Sequence, residues 1–275
     1  MAEEMFAGDG IFAYLRAMKH RSSLLLPVVA ASVVVLCSCS GKRYAVTAVE
    51  RTRLLVDSVY DRQPVDEAVA FVAPYRQQVD SIMSPVVGRS ARYLSSYRPE
   101  SPLSNLLADI LVWGGQSYGE EPLMGVYNMG GIRAAFAEGD ITYGDVIDVA
   151  PFENKICFLT LTGDHLLQLL AQIASTGGEG VSHGVELSVA ADGRLLGARL
   201  HGEAIVPERA YRVVTLDYLA QGNDKLEAFK QGTDVNAPTD DDANVRYIII
   251  RYARAMMERG EAIDAAVEGR ITIEQ

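Results

Sequence analysis

The chain has 275 residues, of which 49% are hydrophobic, and a formal net charge of -11 at pH 7. This length is enough for one large domain with a core, even after loss of a leader. The excess of acidic residues disfavours binding to a nucleic-acid backbone or to an anionic bilayer, so we expect no nucleic-acid partner. Any phosphate group would have to be bound in a local basic pocket.

An export leader is predicted at the N-terminus. The basic segment Met18-Lys19-His20-Arg21 precedes an apolar run from Leu24 to Leu36, which is shorter than the ~20 residues of a membrane-spanning helix. The acidic residues before Met18 do not suit such a leader, so we expect the true start to be Met18. We therefore assign residues 1–38 to the leader.

A lipid attachment site is predicted at the end of this leader. Leu36-Cys37-Ser38-Cys39 resembles a bacterial lipobox, with Leu36 at minus three and Ser38 at minus one from Cys39. Cys37 fits less well, because Leu36 would then occupy the small-residue position. An ordinary cleaved secretory signal is the alternative. A lipidated Cys39 predicts a lipoprotein of the cell envelope, attached to a membrane and facing the periplasm or the outer surface. Cys157 would then be the only cysteine left, most simply a small core residue.

After the leader we predict a polar tether over residues 39–62, with a short helix near 52–60, and then one domain over residues 63–275. Helical spacing of apolar residues from Val65 to Met83 predicts a helix. Pro74 interrupts this pattern and fits either a kink or the first turn of a second helix. A strand is predicted from Val86 to Leu94.

The centre of the chain begins with a helix. Ser101-Pro102 is a start signal, apolar residues follow on one face, and Gly114-Gly115 predicts the end of the helix. Met124 to Tyr127 is then predicted to be a short buried strand that leads into a turn over residues 128–133.

The second half alternates between strand and helix patterns. We predict strands at 155–161, 185–190, 195–200, 212–216 and 270–274, and helices at 162–177 and 244–259. Ala191-Asp192-Gly193 predicts a hairpin between the second and third of these strands. The pattern predicts the α/β (α+β) class, in which helices and strands pack in layers, without selecting a topology.

Three segments in the middle of the chain carry the functional signal: Asn128-Met129-Gly130-Gly131-Ile132-Arg133, Gly139-Asp140-Ile141-Thr142 and Pro151-Phe152-Glu153-Asn154. The glycine pair allows the backbone to approach a ligand closely. The guanidinium of Arg133 can bind two anionic oxygens at once and stays charged at any relevant pH. A plain Gly-Gly turn beside a surface arginine is the alternative for the first segment alone.

Together these segments resemble the C-terminal, substrate-specificity domain of the bacterial periplasmic 5'-nucleotidase family. That family joins an N-terminal two-metal phosphoesterase domain to this nucleotide-binding domain, and the resemblance covers about residues 63–275. It implies a layered helix-sheet-sheet-helix sandwich for this part of the chain.

The resemblance also implies roles for individual residues. Arg133 would bind the phosphate, and Phe152, nineteen residues later, would lie under the base. Tyr218, six residues before Asp224, would close an aromatic sandwich around the base. Asn154 would hydrogen-bond a base edge, and Asp224 would accept hydrogen bonds from ribose hydroxyls. The turn residues Asn128, Gly130 and Gly131 complete this predicted substrate-binding set. Aromatic residues lie in the core by default, so Phe152 and Tyr218 as core residues are the alternative.

The chain departs from the family pattern in two places. The family has Gly-Gly-Asp-Gly where this chain has Gly222-Asn223-Asp224-Lys225, and we expect Asn223 to tolerate the left-handed conformation there. Upstream, Arg98 is the predicted second arginine of the phosphate grip, with Arg92 as the alternative.

Metal ligands of the phosphoesterase type are not apparent in the sequence. The chain has four histidines, and His165, His183 and His201 outside the leader stand singly, without a second histidine at ligand spacing. We therefore expect no catalytic residue, metal or other cofactor in this chain, and divalent metals only in a partner phosphoesterase.

Two functions remain open. The chain is either the nucleotide-binding specificity subunit of a split 5'-nucleotidase, working with a separately encoded metallophosphoesterase, or a stand-alone nucleotide-binding lipoprotein without catalysis. In both, the expected ligand is a nucleoside 5'-monophosphate or a related nucleotide. The base preference and the state of self-association stay undetermined by the sequence.

Overall fold

The computed structural model describes residues 44–55, 57–58, 62 and 64–274. The predicted leader, the lipobox and Cys39 lie outside these residues. Contacts divide the chain into two units, residues 1–64 and residues 65–275. In the first unit, residues 44–55 have no regular secondary structure, and 57–58 lie in a bend and a turn. The described part of the predicted helix at 52–60 is therefore not helical.

The second unit opens with one helix, α1 (Asp66–Met83), which contains Pro74 in its interior. The alternative of a second helix starting at Pro74 is wrong. The predicted apolar face of α1 is present, but none of its residues is buried. Val69 and Val79, for example, are 50% and 52% exposed. Only the C-terminal end of α1 packs on the domain, next to the helix that follows β3.

The remaining helices and strands of the unit follow in alternation. They are β1 (Val86–Ser90), α2 (Pro102–Gly114), β2 (Met124–Tyr127), β3 (Gly139–Thr142), α3 (Tyr143–Val149), β4 (Ile156–Thr162), α4 (Gly163–Ser175), β5 (Gly180–Val181), β6 (Val185–Ala190), β7 (Leu195–Leu200), β8 (Glu203–Ala204), β9 (Ala210–Leu216), α5 (Asp217–Ala220), β10 (Thr233–Asn236), α6 (Val245–Glu258) and β11 (Ile271–Glu274). Short 3-10 turns cover Gly115–Tyr118, Met129–Gly131, Glu227–Gln231 and Asp241–Ala243.

These strands form two main sheets and a small ribbon. The larger sheet has the order β10-β4-β9-β2-β5, the smaller has the order β11-β6-β7-β8, and β1 pairs with β3. Helix α2 packs on β2, β5 and β9, whereas α4 contacts strands of both main sheets. The predicted mixed α/β class, with helices layered on two sheets, is confirmed.

The strand order of the larger sheet determines where the loops meet. β2 and β9 are parallel neighbours, so their carboxyl ends point to the same edge of the sheet. β4 is antiparallel to β9 and pairs Ile156 with Leu216, so β4 starts at that same edge. The turn after β2, the segment before β4 and the segment after β9 therefore lie side by side. Open α/β sheets bind ligands at such an edge.

Helix α2 fixes the position of β2. Ser101 caps the helix by accepting a hydrogen bond from the Ser104 N–H, and Pro102 occupies its first turn. The helix lies so close to the sheet that a Cβ on Gly125 would come within 2.6 Å of the Ala108 carbonyl oxygen. Glycine is thus required at this point of β2, three residues before the turn that begins at Asn128.

One predicted boundary is wrong: the strand from Val86 ends at Ser90, and Leu94 only forms an isolated bridge to Phe136. The predicted end of the helix at Gly114-Gly115 is confirmed, because α2 ends at Gly114. A separate 3-10 turn follows over Gly115–Tyr118 and ends at Gly119, which is left-handed at φ 68°. Helix α3 was not predicted, although Thr142 and Asp145 form a capping box at its start.

Candidate functional site

A small pocket lies at the shared edge of β2, β4 and β9. It has a volume of about 210 Å³ and is lined by seven residues: Asn128, Gly130, Gly131, Phe152, Asn154, Tyr218 and Asp224. All seven belong to the predicted substrate-binding set. They come from three segments that are far apart in sequence and that the sheet topology brings together.

The two aromatic rings of the pocket are not core residues. Phe152 is 50% exposed and Tyr218 is 38% exposed. The alternative that both are buried in the core is therefore wrong. Neither ring stacks on another ring within the described part of the chain, so no aromatic side chain there competes with a flat ligand for them.

The segment that carries Phe152 is held from two sides. Arg246, in the first turn of α6, donates hydrogen bonds to the carbonyl oxygens of Ala150 and Pro151, at 3.3 and 3.0 Å. The carbonyl oxygen of Asn154 accepts from the Val245 N–H at 3.0 Å. The loop before β4 is thus bound to the N-terminal end of α6.

Asp217 aligns the segment before β4 with the segment after β9. Its carboxylate accepts from the backbone N–H groups of Lys155 and Tyr218, at 3.0 and 2.8 Å. Its own N–H donates to the Lys155 carbonyl oxygen at 2.8 Å. This triple contact sets the distance between Tyr218 and the residues just before Lys155.

Asp224 is the polar centre of the pocket. One carboxylate oxygen accepts from the Tyr218 hydroxyl at 2.9 Å, and the other accepts from the Asn128 side-chain amide at 2.7 Å. The hydrogen bond to Asp224 raises the pKa of the Tyr218 hydroxyl, so Tyr218 stays protonated and remains a donor. The side-chain oxygen of Asn128 is buried without a partner in the described residues.

The loop that carries Asp224 uses left-handed backbone conformations at Gly222, Asp224 and Lys225, with φ angles of 79°, 54° and 66°. The prediction that Asn223 takes the left-handed position is wrong. Asn223 instead donates its side-chain amide to the Tyr218 carbonyl oxygen at 2.7 Å and closes the loop. Lys225 therefore adopts a conformation that favours glycine, at the position where the family has one.

Gly131 lies close to the Asn128 side chain in the turn after β2. A Cβ at this position would lie 2.5 Å from the side-chain oxygen of Asn128, so any other residue would require the Asn128 side chain to move. Gly130 is exposed at the pocket. The Arg133 N–H donates to the Val149 carbonyl oxygen at 3.0 Å, which ties the turn to the end of α3.

The two predicted arginines lie beside the pocket rather than in its lining. Arg133 is exposed, and its guanidinium donates to the Gly130 carbonyl oxygen at 3.3 Å. Arg98 forms an ion pair with Glu179, at 2.7 Å, and is 40% exposed. Arg92 is bound to Asp264 at 2.7 Å instead. Of these three arginines, Arg133 contacts the turn directly, and Arg98 is connected to it through Glu179, which accepts from the Met129 N–H.

Glu179, Asp217 and Arg246 were missed by the sequence reasoning. Each holds a pocket segment through a contact with a residue 50 or more positions away. Asp217 follows directly on the predicted strand 212–216, which is a weak signal that it lies at the strand end. Glu179 and Arg246 have no comparable sequence signal.

Within the described ranges, no three His, Cys, Asp or Glu side chains are grouped so that they could hold a metal ion. No helix in the described part of the chain is long and apolar enough to cross a membrane. Cys157 is buried in β4, and burial raises the pKa of its thiol to about 11.

The sheet edge and its pocket belong to a domain of mixed α/β type. The sequence matches the family described as 5'-nucleotidase, C-terminal domain, over residues 82–231. The chain belongs to this family, and the predicted resemblance is confirmed.

Individual relatives agree with this membership. Protein UshA of Escherichia coli is 34% identical over 102 residues, which is 36% of this chain and 18% of that protein. The trifunctional nucleotide phosphoesterase protein YfkN of Bacillus subtilis is 26% identical over 238 residues, 79% of this chain and 16% of that protein. The crystal structure of a 5'-nucleotidase precursor from Thermus thermophilus superposes with a TM-score of 0.65 at 26% identity, covering 76% of this chain and 43% of that one. This chain therefore spans less than half the length of each of these proteins.

Proposed function

We propose that this chain binds a nucleoside 5'-monophosphate in the pocket at the edge of the larger sheet. The observation that supports this most directly is the pair of half-exposed rings, Phe152 and Tyr218, in one pocket with Asp224 and Asn154. Two partly exposed rings that line one pocket suit a flat base, and stacking contributes roughly 1 to 3 kcal/mol per ring. The carboxylate of Asp224 and the amide of Asn154 supply the polar contacts that orient a ribose and a base edge.

The phosphate would lie over the Gly130-Gly131 turn. Arg133 is exposed and makes one long hydrogen bond, to Gly130, so its remaining N–H groups are available to an anion. An arginine is the residue best suited to bind phosphate oxygens in pairs. Because the net charge of the chain is -11, such a local cation is needed to hold a dianionic group.

In this proposal the chain is the specificity subunit of a 5'-nucleotidase-type hydrolase, and a separately encoded metallophosphoesterase supplies the divalent metals and the hydrolysis. Residues 1–38 would export it, and lipidation at Cys39 would hold it at the cell envelope.

The proposal is tested by calorimetric titration of the exported part, residues 40–275, with adenosine 5'-monophosphate and other nucleoside monophosphates. We expect saturable binding of at least one of them. In parallel, phosphate release is measured with added divalent metals, and we expect none. Metal-dependent release by the pure chain would overturn the division of labour, whereas absence of binding would overturn the ligand. Binding without any phosphoesterase that responds to this chain would favour the stand-alone nucleotide-binding lipoprotein.

A further inference from the structure

Glu179 is a buried carboxylate beside a pocket that we propose for an anion. Its side chain is 2% exposed, and it follows the left-handed Gly177-Gly178 turn at the end of α4. A buried negative charge close to a phosphate site is unfavourable unless it is paired and hydrogen-bonded. The contacts of Glu179 indicate its role.

Both oxygens of Glu179 are used. One accepts from the Arg98 guanidinium at 2.7 Å and from the Thr176 hydroxyl at 3.4 Å. The other accepts from the backbone N–H of Met129 at 2.6 Å. Met129 is the first residue of the turn that carries Gly130 and Gly131, so a single carboxylate connects Arg98 to that turn.

This connection places two guanidinium groups on one short turn. Arg133 contacts the turn at the Gly130 carbonyl oxygen, and Arg98 reaches it through Glu179 at the preceding residue. The Arg98 side chain remains 40% exposed, and the hydrogen bond to Glu179 uses one of its five N–H groups. A guanidinium fixed in this way loses less side-chain entropy when it binds an anion.

We propose that Glu179 is a positioning residue of the site: it fixes Arg98 against the Met129–Gly131 turn, so that Arg98 and Arg133 together receive the phosphate. This inference rests on the proposed function. Burial raises the pKa of Glu179, against the opposing effects of the Met129 N–H and Arg98, and the nearby Asp224 charge adds to the rise.

Glu179→Gln tests the role, because both main partners are donors. A carboxylate accepts from both, whereas an amide presents its NH₂ group to one of them and leaves that donor unsatisfied. The matched control is Glu120→Gln. Glu120 forms a similar partly buried pair with Arg212 at 2.6 Å, but near the start of β2 and β9, at the opposite end of these strands from the pocket.

Affinity for adenosine and for adenosine 5'-monophosphate is measured well below the thermal transition of each variant. We expect Glu179→Gln to weaken the monophosphate about tenfold or more, the loss typical of one charge-assisted contact, and to change adenosine less than about twofold. Glu120→Gln should change neither. Equal losses for both ligands would mean a merely structural role, and tighter monophosphate binding would mean that Glu179 acts only as a repelling charge. Either result overturns the inference.

Arg98→Gln and the double variant show whether Arg98 acts through Glu179. We expect Arg98→Gln alone to weaken the monophosphate as much as Glu179→Gln does, and to add less than about twofold in the Glu179→Gln background. Fully additive losses would contradict the inference.

A ligand-free measurement separates this inference from the proposed function. Amide hydrogen exchange by local opening at residues 128–133 should be faster in Glu179→Ala than in the wild type, because removal of the carboxyl group leaves the Met129 N–H without its acceptor, and unchanged in Glu120→Ala. If no nucleotide binds the wild type, the proposed function fails. Unchanged exchange in Glu179→Ala overturns the positioning role in either case.

Discussion

At the scale of single residues, the proposed binding mode assigns different ligand parts to different side chains. Phe152 and Tyr218 offer ring faces, Asp224 and Asn154 offer polar groups, and Arg133 offers a charge next to the turn. If these assignments hold, nucleosides and nucleotides respond differently to substitutions at each position.

Phe152→Ala should weaken adenosine and its 5'-monophosphate alike, by about 1 to 3 kcal/mol, because the lost stacking is common to both. The half-exposed position of Phe152 means that little core packing is lost. Titration calorimetry on the folded variant measures the effect, and Tyr75→Ala, which removes a 61% exposed ring from α1, is the control. A loss confined to the monophosphate would contradict the base-stacking role.

Arg133→Ala should act on the phosphate alone. We expect the monophosphate to lose about 1.5 to 3 kcal/mol and adenosine to be nearly unchanged, since the charge-assisted contact involves only the phosphate. Arg92→Ala removes an exposed arginine bound to Asp264 and serves as the control. Equal losses for both ligands would instead mean that Arg133 braces the Gly130 turn, whose carbonyl oxygen it already contacts.

At the scale of elements, ion pairs hold the start of β9 in place. Arg212 donates two hydrogen bonds to Glu120, at 2.7 and 2.6 Å, and Asn236 of β10 donates to the same carboxylate at 2.8 Å. The hydrogen bonds from Arg212 are the main cause of a lowered pKa of Glu120, which outweighs the opposing effect of burial. This pair therefore stabilises the larger sheet when Glu120 is ionised.

Glu120→Gln should lower the free energy of unfolding by about 2 kcal/mol at neutral pH, the range for a hydrogen-bonded charge. Because the folded-state pKa is lowered, this stabilisation is present above the unfolded-state pKa and is lost as the pH falls through the folded-state value. Denaturant unfolding of wild type and variant at several pH values measures the difference. It should be constant above about pH 5.5 and shrink in more acidic buffer. A difference that does not change with pH would mean that Glu120 acts through packing alone.

The sequence predicted those elements whose pattern is local and strong. Helix α2 has a cap, a proline and an apolar face, and the hairpin of β6 and β7 has Gly193 in the left-handed region at φ 86°. Elements without such a pattern were missed. β10 has three exposed residues out of four and no apolar alternation. Helix α3 has only two turns, so its capping box was its main signal.

The residues of the site show the same contrast between those with a local sequence pattern and those without one. Its seven lining residues follow from motifs that are contiguous in the sequence or carried over from the family pattern. The residues that hold the motifs in place, Glu179 and Arg246, act on partners 50 and 96 positions away, and periodicity carries no information about such contacts. That Asp224 and Lys225 adopt the left-handed conformation, and Asn223 does not, likewise depends on the three-dimensional context of the loop.

At the scale of the whole molecule, helix α1 lies outside the hydrophobic core of the domain. Helix α1 has large apolar side chains on one face, and those of Phe71, Tyr75 and Ile82 are 72%, 61% and 54% exposed. The core of the unit lies instead around the larger sheet, between α2 and α4. The fold of the site does not depend on burial of α1, because β2, β4 and β9 are contacted by α2 and α4.

The proposed location in the cell depends on Cys39, which lies outside the described residues. Cys39→Ser should yield an unprocessed or a soluble exported form, since serine cannot receive the lipid. One acyl chain holds a protein only weakly, so stable attachment of the wild type implies more than one chain on Cys39. The measurement is membrane fractionation with metabolic labelling by a fatty acid, and Cys37→Ser is the matched control because Cys37 fits the lipobox less well. If labelling survives in Cys39→Ser but disappears in Cys37→Ser, the lipid is attached to Cys37 instead. If both variants fractionate with the membrane as tightly as the wild type, the anchor is not a lipid on either cysteine.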